Sequence, residues 1–343
     1  MPKNVYIETY GCAANQNDTE ILTARLMHDD ARIVEDIEMA DEIIINSCAV
    51  KQPTENKIMY RIKEIHEKYP EKKIIIAGCL AKTNRIPGFC EKLDTTNVEK
   101  VNTTMIRKNN DVDMIQISRG CLGECAYCAT RLARGHLKSS PPEDIINRVK
   151  KSLSEGVEQF RFTSQDCGCY GYDLEPKMNL ANLINKVLET LESNDVSIRI
   201  GMINPIHLKE FYHELIECYK DPHMIKFLHI PVQSGSDDIL QAMGRPYKIS
   251  EFEEIVQEFR REIPNIIIWT DIIVGFPGES DSDFEKSCKL IQDIRPDFVN
   301  ISKFGVRPDT TAADMEQLPS QVIKERSIKM SEIVRHIRNL NKL

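Results

Sequence analysis

The chain has 343 residues, with 45 lysines and arginines against 53 aspartates and glutamates, a net charge of −8. Hydrophobic residues at 41% and charged residues at 29% exclude a largely disordered or fibrous chain, and the length allows about two domains of ~150 residues. The acidic balance excludes the broad basic field of a free-standing nucleic-acid binder, so any RNA contact is local.

The N-terminus, MPKNVYIETYGC, lacks the apolar run of ~7–15 residues of a secretory signal, and no later run approaches the ~18 residues of a membrane span. The protein therefore reads as cytosolic, with no membrane partner. A reducing compartment disfavours a disulfide framework for its 11 cysteines, leaving ligation or catalysis as the better account of any organised subset.

Three cysteines each follow a strand-like run: VYIETYGC to Cys12, EIIINSC to Cys48 and KIIIAGC to Cys79. Between them, DTEILTARLMHD and PTENKIMYRIKEIHEKY repeat apolar residues every three or four positions, as amphipathic helices do. Intervals of 36 and 31 residues suit one strand-helix unit each, and the βαβαβ pattern predicts a parallel sheet. Residues just beyond the carboxyl ends of such strands share one edge, where ligands commonly sit, so Cys12, Cys48 and Cys79 are expected to converge. The other reading makes each a small buried residue at a strand end.

After the strand-like DMIQIS comes SRGCLGECAYC, which places Cys121, Cys125 and Cys128 in a CxxxCxxC array. Three thiolates on one short loop can each take a corner iron of a cubane, leaving one iron open to substrate. A zinc site completed by His136 is the alternative at this point. Further strands are predicted at Met114–Ser118, Phe160–Thr163, Ile198–Met202, Phe227–Pro231, Ile266–Ile273 and Phe298–Ser302, alternating with helices. Such alternation buries parallel strands beneath helices, with active residues at the strand carboxyl ends. There, Gln165 and Asp166 are candidate hydrogen-bond partners for a cofactor. Arg199, inside the apolar IRIGMI, and Asp271, inside IIIWTDIIVGFPGE, each call for an opposite charge or a hydrogen-bond partner. Gly120 and Gly123 permit close backbone approach in the loop. Cys90, Cys218 and Cys288 have no organised partners and read as core packing.

Cys121, Cys125 and Cys128, with Tyr127 before the last, match the CxxxCxΦC motif of radical S-adenosylmethionine enzymes. With YGCAANQND, INSCAV and IAGCLA, the chain resembles the methylthiotransferase family, whose N-terminal domain supplies three cysteines to a second [4Fe–4S] cluster. The segments TSQDCGCYGYD, IRIGMINP, FLHIPVQSGSDDILQAMGRPY, TDIIVGFPGES and NISKFGVRPDTTAADM extend the likeness over almost the whole chain. ARG after the loop, TSQD followed by YGYD, and FLHIPVQSGSD look most like the archaeal and eukaryotic-type branch, which methylthiolates C2 of N6-threonylcarbamoyladenosine next to the anticodon of transfer RNA. Related branches act on isopentenyladenosine in transfer RNA or on a ribosomal protein, and a non-catalytic iron–sulfur paralogue is a further alternative.

The resemblance implies an α/β chain: an N-terminal doubly wound parallel-sheet domain over residues 1–108, then an incomplete (βα)6 radical-SAM barrel with a C-terminal helix over 109–343. It implies one [4Fe–4S] cluster on Cys121, Cys125 and Cys128, an auxiliary one on Cys12, Cys48 and Cys79, and S-adenosylmethionine as cofactor. Cofactor contacts are expected from Gly123, Tyr127, Gln165, Asp166, Arg199, Gln233, Ser234 and Asp271, with Tyr127 near the adenine and Ser236 beside Ser234. No side chain is assigned as a catalytic group. The expected partners are the anticodon loop, a reductant and a sulfur donor that the sequence does not identify. Cys167 and Cys169 stand where this branch leads one to expect threonine and alanine. The small β-rich RNA-binding TRAM domain that the resemblance leads one to expect after the barrel is not seen before RSIKMSEIVRHIRNLNKL, so either the protein is naturally minimal or the sequence is incomplete, and weak transfer-RNA binding is expected of the chain as given. In that helical tail, Lys329, Arg335, Arg338 and Lys342 read as a solvated face.

Overall fold

The computed structural model describes residues 2–48, 52–83, 85–95, 105–191 and 195–340. It divides into two compact units. One holds Met1–Gly120, Ala129–His136 and Ser140–Gln165; the other holds Cys121–Cys128, Leu137–Ser139 and Asp166–Leu343.

In the first unit, β1 (Asn4–Thr9), β2 (Arg32–Ile33), β3 (Glu42–Ser47), β4 (Lys73–Gly78) and β5 (Glu91–Leu93) form a parallel sheet in the order β2-β1-β3-β4-β5. Its two faces explain the unbroken apolar runs of the central strands, because a strand covered on both sides has no polar alternation. Ile43, Ile45, Ile74 and Ile76 pack with Ile58, Ile62 and Ile65 of α2 (Gln52–Lys68) on one face. Val5, Ile44, Ile75 and Ala77 pack with Leu22 of α1 (Ala13–His28) on the other. This is a doubly wound sheet, with its topological switch between β1 and β3. The edge strands β2 and β5 were not expected from the sequence, since two or three residues are too few to display a period.

The chain continues through β6 (Val112–Gln116), β7 (Ser118–Arg119), α3 (Ala129–Arg134), β8 (Lys138–Ser139), α4 (Pro142–Ser154) and β9 (Gln159–Thr163), of which all but β8 belong to the first unit. β6 and β9 pair in parallel, Val112 opposite Gln159 and Gln116 opposite Thr163. β6 carries Asp113 fully into the interior, where Arg148 of α4 donates Nη2 to Oδ1 at 2.7 Å and Nε to Oδ2 at 3.1 Å, and Ser152 donates at 2.6 Å. Burial alone raises the pKa of that carboxyl, but the Arg148 and Ser152 bonds outweigh it and hold it below the usual aspartate value. A depressed folded-state pKa contributes stability that is present above the unfolded value of ~3.9 and is lost as pH falls through the folded one. Asp113→Ala leaves Arg148 buried without its carboxylate, so a loss of ~3–5 kcal/mol is expected in urea unfolding at neutral pH; a loss below ~1 kcal/mol would contradict this account of the pair.

The second unit contains β10 (Ser197–Ile200), β11 (Phe227–His229), β12 (Ile267–Val274) and β13 (Phe298–Lys303), the last three forming a parallel sheet in that order. Its helices are α5 (Leu180–Leu188), α6 (Pro205–Leu208), α7 (Tyr212–Lys220), α8 (Asp237–Ala242), α9 (Ile249–Glu262), α10 (Asp281–Ile294) and α11 (Ser320–Leu340). All six strands anticipated after residue ~110 form, with no end displaced by more than about two residues. On α11, Met330, Val334 and Ile337 are buried, Lys329 pairs with Glu285, Arg335 is exposed and Arg338 lies 5.0 Å over the Phe298 ring. Lys342 lies outside the described residues. Cys218 and Cys288 are buried, and Cys90 is packed against the first-unit core.

Candidate metal centres

The first centre grows from strand register. β1, β3 and β4 are adjacent and parallel; Thr9 stands opposite Asn46, and Ser47 opposite Gly78. One further step brings Cys48 and Cys79 side by side, with the Cys79 N–H donating to Ser47 O at 3.0 Å. Cys12 leaves β1 beside them at the start of α1. Neighbouring strands are ~4.8 Å apart, so three consecutive strand ends put these attachment points within ~10 Å of one another. Gly11 makes the approach possible: its φ is +125°, and a Cβ there would stand 2.9 Å from Cys48 Cβ. Cys48 and Cys79 are buried and Cys12 is exposed, so the edge is closed on one side and open on the other.

Two polar residues knit this edge together. Asn15 donates to Ser47 O at 2.7 Å and to Tyr10 O at 3.2 Å, while its Oδ1 lies 3.7 Å from Cys12 Sγ. Arg134, whose side chain is 1% exposed, donates Nε to Cys79 Sγ at 3.2 Å and Nη2 to Asn15 Oδ1 at 3.1 Å and Asp18 Oδ2 at 2.8 Å. Its Nη1 is buried and has no partner among the described residues. Three thiols on one edge, beside an unspent cationic N–H, fit a thiolate-held anionic cluster.

The second centre is the loop of the second unit. The Gly123 N–H donates to Cys121 Sγ at 3.1 Å, and a Cβ on Gly123 would stand 3.3 Å from Cys121 Sγ and 3.8 Å from Cys125 Sγ. The Cys128 N–H donates to Cys125 O at 3.0 Å, and the Ala126 N–H ties the loop to Met243 O at 2.9 Å. Beneath the loop lies Arg245, buried, with Nη1 3.6 Å from Cys125 Sγ and 3.4 Å from Tyr127 Oη, and Nη2 on Asn204 Oδ1 at 2.8 Å and Pro231 O at 2.7 Å. Tyr127 packs edge-on to Phe276 with centroids 6.3 Å apart, and burial pushes its phenol well above its ordinary value. Three partly exposed thiols on one loop, two of them beside a glycine and one with a buried guanidinium on its sulfur, also fit a thiolate-held cluster.

The other expected contacts differ in how free they are. Gln165 Oε1 accepts from the Gly120 N–H at 2.7 Å. Asp166 is 1% exposed: Oδ1 accepts from the N–H groups of Gly168 (2.8 Å) and Asn204 (3.0 Å), and Oδ2 lies 3.9 Å from Cys121 Sγ and 3.5 Å from His207 Nε2. Ser234 is fully buried between Ser236 N–H and Ser287 Oγ, and Ser236 donates to Asp283. Asp166, Ser234 and Ser236 thus do internal work that the sequence reading did not anticipate. Gln233 adopts φ +74°, its N–H donating to Asp271 O and its carbonyl accepting from Ile273. Arg199 is half-buried on the opposite side of β10 from Ile198 and Ile200, and stacks 4.1 Å over the Phe227 ring. Asp271 accepts from Asn300 Nδ2 at 2.5 Å and meets His229 Nε2 at 2.5 Å. His229 and Asn300 escaped sequence reasoning, although each sits on a strand beside β12, His229 opposite Trp269 and Asn300 opposite Asp271.

Cys169 was also given no role. Its sulfur, Cys121 Sγ and an Asp166 oxygen lie within 4.8 Å of one another, and hydrogen bonding by the Cys169 thiol lowers the Cys121 pKa while that of Cys169 is raised. Cys167 is fully buried next to it.

Comparison with known proteins separates the two sets of cysteines. Residues 4–99 match the family model described as "Uncharacterized protein family UPF0004", and residues 115–291 match the Radical SAM superfamily. The chain is 44% identical to a probable threonylcarbamoyladenosine tRNA methylthiotransferase of Pyrococcus horikoshii, over 94% of this chain and 82% of that protein. It is 36% identical to one from Methanocaldococcus jannaschii, over 99% of this chain and 85% of that one. The human threonylcarbamoyladenosine tRNA methylthiotransferase is 34% identical over 96% of this chain and 62% of its own length. In fold, the chain resembles the radical S-adenosylmethionine methyltransferase TsrM from Kitasatospora setae, solved with cobalamin and a [4Fe–4S] cluster (TM-score 0.61, 11% identity, 91% of this chain, 77% of that one). It also resembles the cobalamin-dependent radical enzyme OxsB (TM-score 0.56, 11% identity, 98% of this chain, 56% of that one).

Proposed function

The chain belongs to the radical S-adenosylmethionine methylthiotransferases of the threonylcarbamoyladenosine branch, and from that premise we propose how its two cysteine centres divide the work. It is an enzyme that transfers a methylthio group to threonylcarbamoyladenosine in transfer RNA, with S-adenosylmethionine and iron–sulfur clusters as cofactors. That membership favours iron–sulfur over the zinc alternative. Residues 1–108 carry the auxiliary centre of Cys12, Cys48 and Cys79, and residues 109–343 carry the S-adenosylmethionine centre of Cys121, Cys125 and Cys128.

A cluster on Cys121, Cys125 and Cys128 would allow one-electron cleavage of S-adenosylmethionine into methionine and the adenosyl radical needed at an adenine carbon too weakly acidic for proton removal, and a cluster on Cys12, Cys48 and Cys79 would carry the sulfur. The chain's own residues prepare both places. Cys121, Cys125 and Cys128 give three ligands and leave a fourth position for the cofactor. Arg245 offsets thiolate charge at Cys125 and fixes the loop through Asn204 and Pro231. Gly123, Tyr127, Arg199, Gln233 and Asp271 remain the proposed side of the cofactor site, with Asp271 held ready by His229 and Asn300. Asp166 and Ser234 act there as supports. The substrate is an anticodon-loop base, comparatively free of its stack and so able to enter a pocket. A net charge of −8 makes the phosphate contacts local.

The single observation that carries this reading is the convergence of Cys12, Cys48 and Cys79 on one sheet edge in a chain that also holds the CxxxCxΦC loop. The anaerobically reconstituted protein, reduced and supplied with S-adenosylmethionine and sulfide, is expected to convert threonylcarbamoyladenosine in transfer RNA to its 2-methylthio derivative, detected by mass spectrometry of digested nucleosides. Product instead on isopentenyladenosine transfer RNA, or on a ribosomal protein, would overturn the substrate assignment.

A further inference from the structure

Arg134 is fixed more completely than a surface arginine needs to be. It closes α3, is buried, and distributes its donors over two elements: Nε to Cys79 after β4, and Nη2 to Asn15 and Asp18 on α1. Through Asn15 the same network reaches Cys12 Sγ at 3.7 Å and the carbonyl of Ser47, next to Cys48. One guanidinium is therefore linked directly to Cys79 and through Asn15 to Cys12 and to the residue before Cys48. The Asp18 carboxylate, fully buried in its side chain, balances its charge. Yet Nη1 is buried with no partner among the described residues. Guanidinium cannot shed its proton, so an unmet buried N–H is costly and persists where another acceptor meets it. The same guanidinium already meets a thiol sulfur, through Nε on Cys79 Sγ at 3.2 Å.

Resting on the auxiliary-centre reading above, we propose that Arg134 is a positioning residue for the group held by Cys12, Cys48 and Cys79: Nε holds the Cys79 sulfur and Nη1 donates to a sulfur of that group. Hydrogen bonds to ligand and cluster sulfurs stabilise the more negative, reduced state and so raise the reduction potential. They also fix ligand orientation, and loss of such a partner typically costs ~10–100-fold in affinity for the metal. Lysine keeps the charge but not the planar fork, so it is not a conservative replacement here.

The test uses the full chain carrying Cys121, Cys125 and Cys128 all changed to alanine, so that only the auxiliary centre can load. In that background Arg134, Arg134→Gln and Arg134→Lys are compared by iron and sulfide content, by potentiometric titration followed by electron paramagnetic resonance, and by circular dichroism before reconstitution. The expected result is a shift of the midpoint to lower potential in Arg134→Gln, with a smaller shift in Arg134→Lys, or an iron affinity lower by ~10–100-fold with native circular dichroism. Unchanged potential and iron content in Arg134→Gln would overturn the proposal. So would loss of native circular dichroism in both variants before any iron is added, since Arg134 would then be an ordinary structural ion pair. An empty centre in the background protein with Arg134 intact would instead count against the auxiliary-centre reading itself.

Discussion

Replacing Cys121, Cys125 and Cys128 together by alanine is expected to reduce cleavage of S-adenosylmethionine to the rate seen without protein, measured as deoxyadenosine released anaerobically under dithionite. The three thiols lie on one loop, two of them around Gly123, and each removes a corner ligand that no other residue of the loop replaces. The effect should be nearly complete already in single variants, because ligands that act as a unit are not additive. Native circular dichroism should survive, since the Ala126 N–H still anchors the loop on Met243 O when the Gly123 and Arg245 bonds to its sulfurs are removed. Deoxyadenosine released at the unmodified rate by the triple variant would show that the cofactor is cleaved elsewhere.

The second large effect is expected from Cys12, Cys48 and Cys79, replaced together by alanine. Here deoxyadenosine release should continue while methylthiolated nucleoside disappears, a separation that a general loss of folding cannot mimic. Cys12 is exposed at the start of α1 and tolerates alanine, whereas Cys48 and Cys79 are 6% and 3% exposed. Cysteine to alanine removes a single buried sulfur at each, a small cavity that at Cys79 faces Ala133. Methylthiolated product at the wild-type level would mean that the sulfur is delivered without these thiols.

Much of this arrangement was legible in the sequence because it is local. EIIINSC and KIIIAGC announce buried parallel strands, and the position of a cysteine just past each strand end places it on the sheet edge whatever the details of packing. The CxxxCxxC spacing is likewise closed within eight residues. What escaped reading is long-range. Arg134 reaches Asn15 across 119 positions and Arg245 reaches Cys125 across 120, and nothing in ARG or GRPY states which sulfur each will meet. Arg199 shows the converse. The apolar run IRIGMI suggested a buried charge in search of an acid, but strand alternation turns Arg199 away from Ile198 and Ile200 and onto the face of Phe227. Asp271 needed the register of β11, β12 and β13 before His229 and Asn300 could be recognised as its partners.

The most direct measurement is the iron and acid-labile sulfide content of anaerobically reconstituted wild type beside the two triple variants, with spectroscopy to identify the cluster type. Two thiolate-held cubanes predict about eight irons per chain in wild type and about four in each variant. About four irons in wild type, all lost with Cys121, Cys125 and Cys128 and none with Cys12, Cys48 and Cys79, would contradict it.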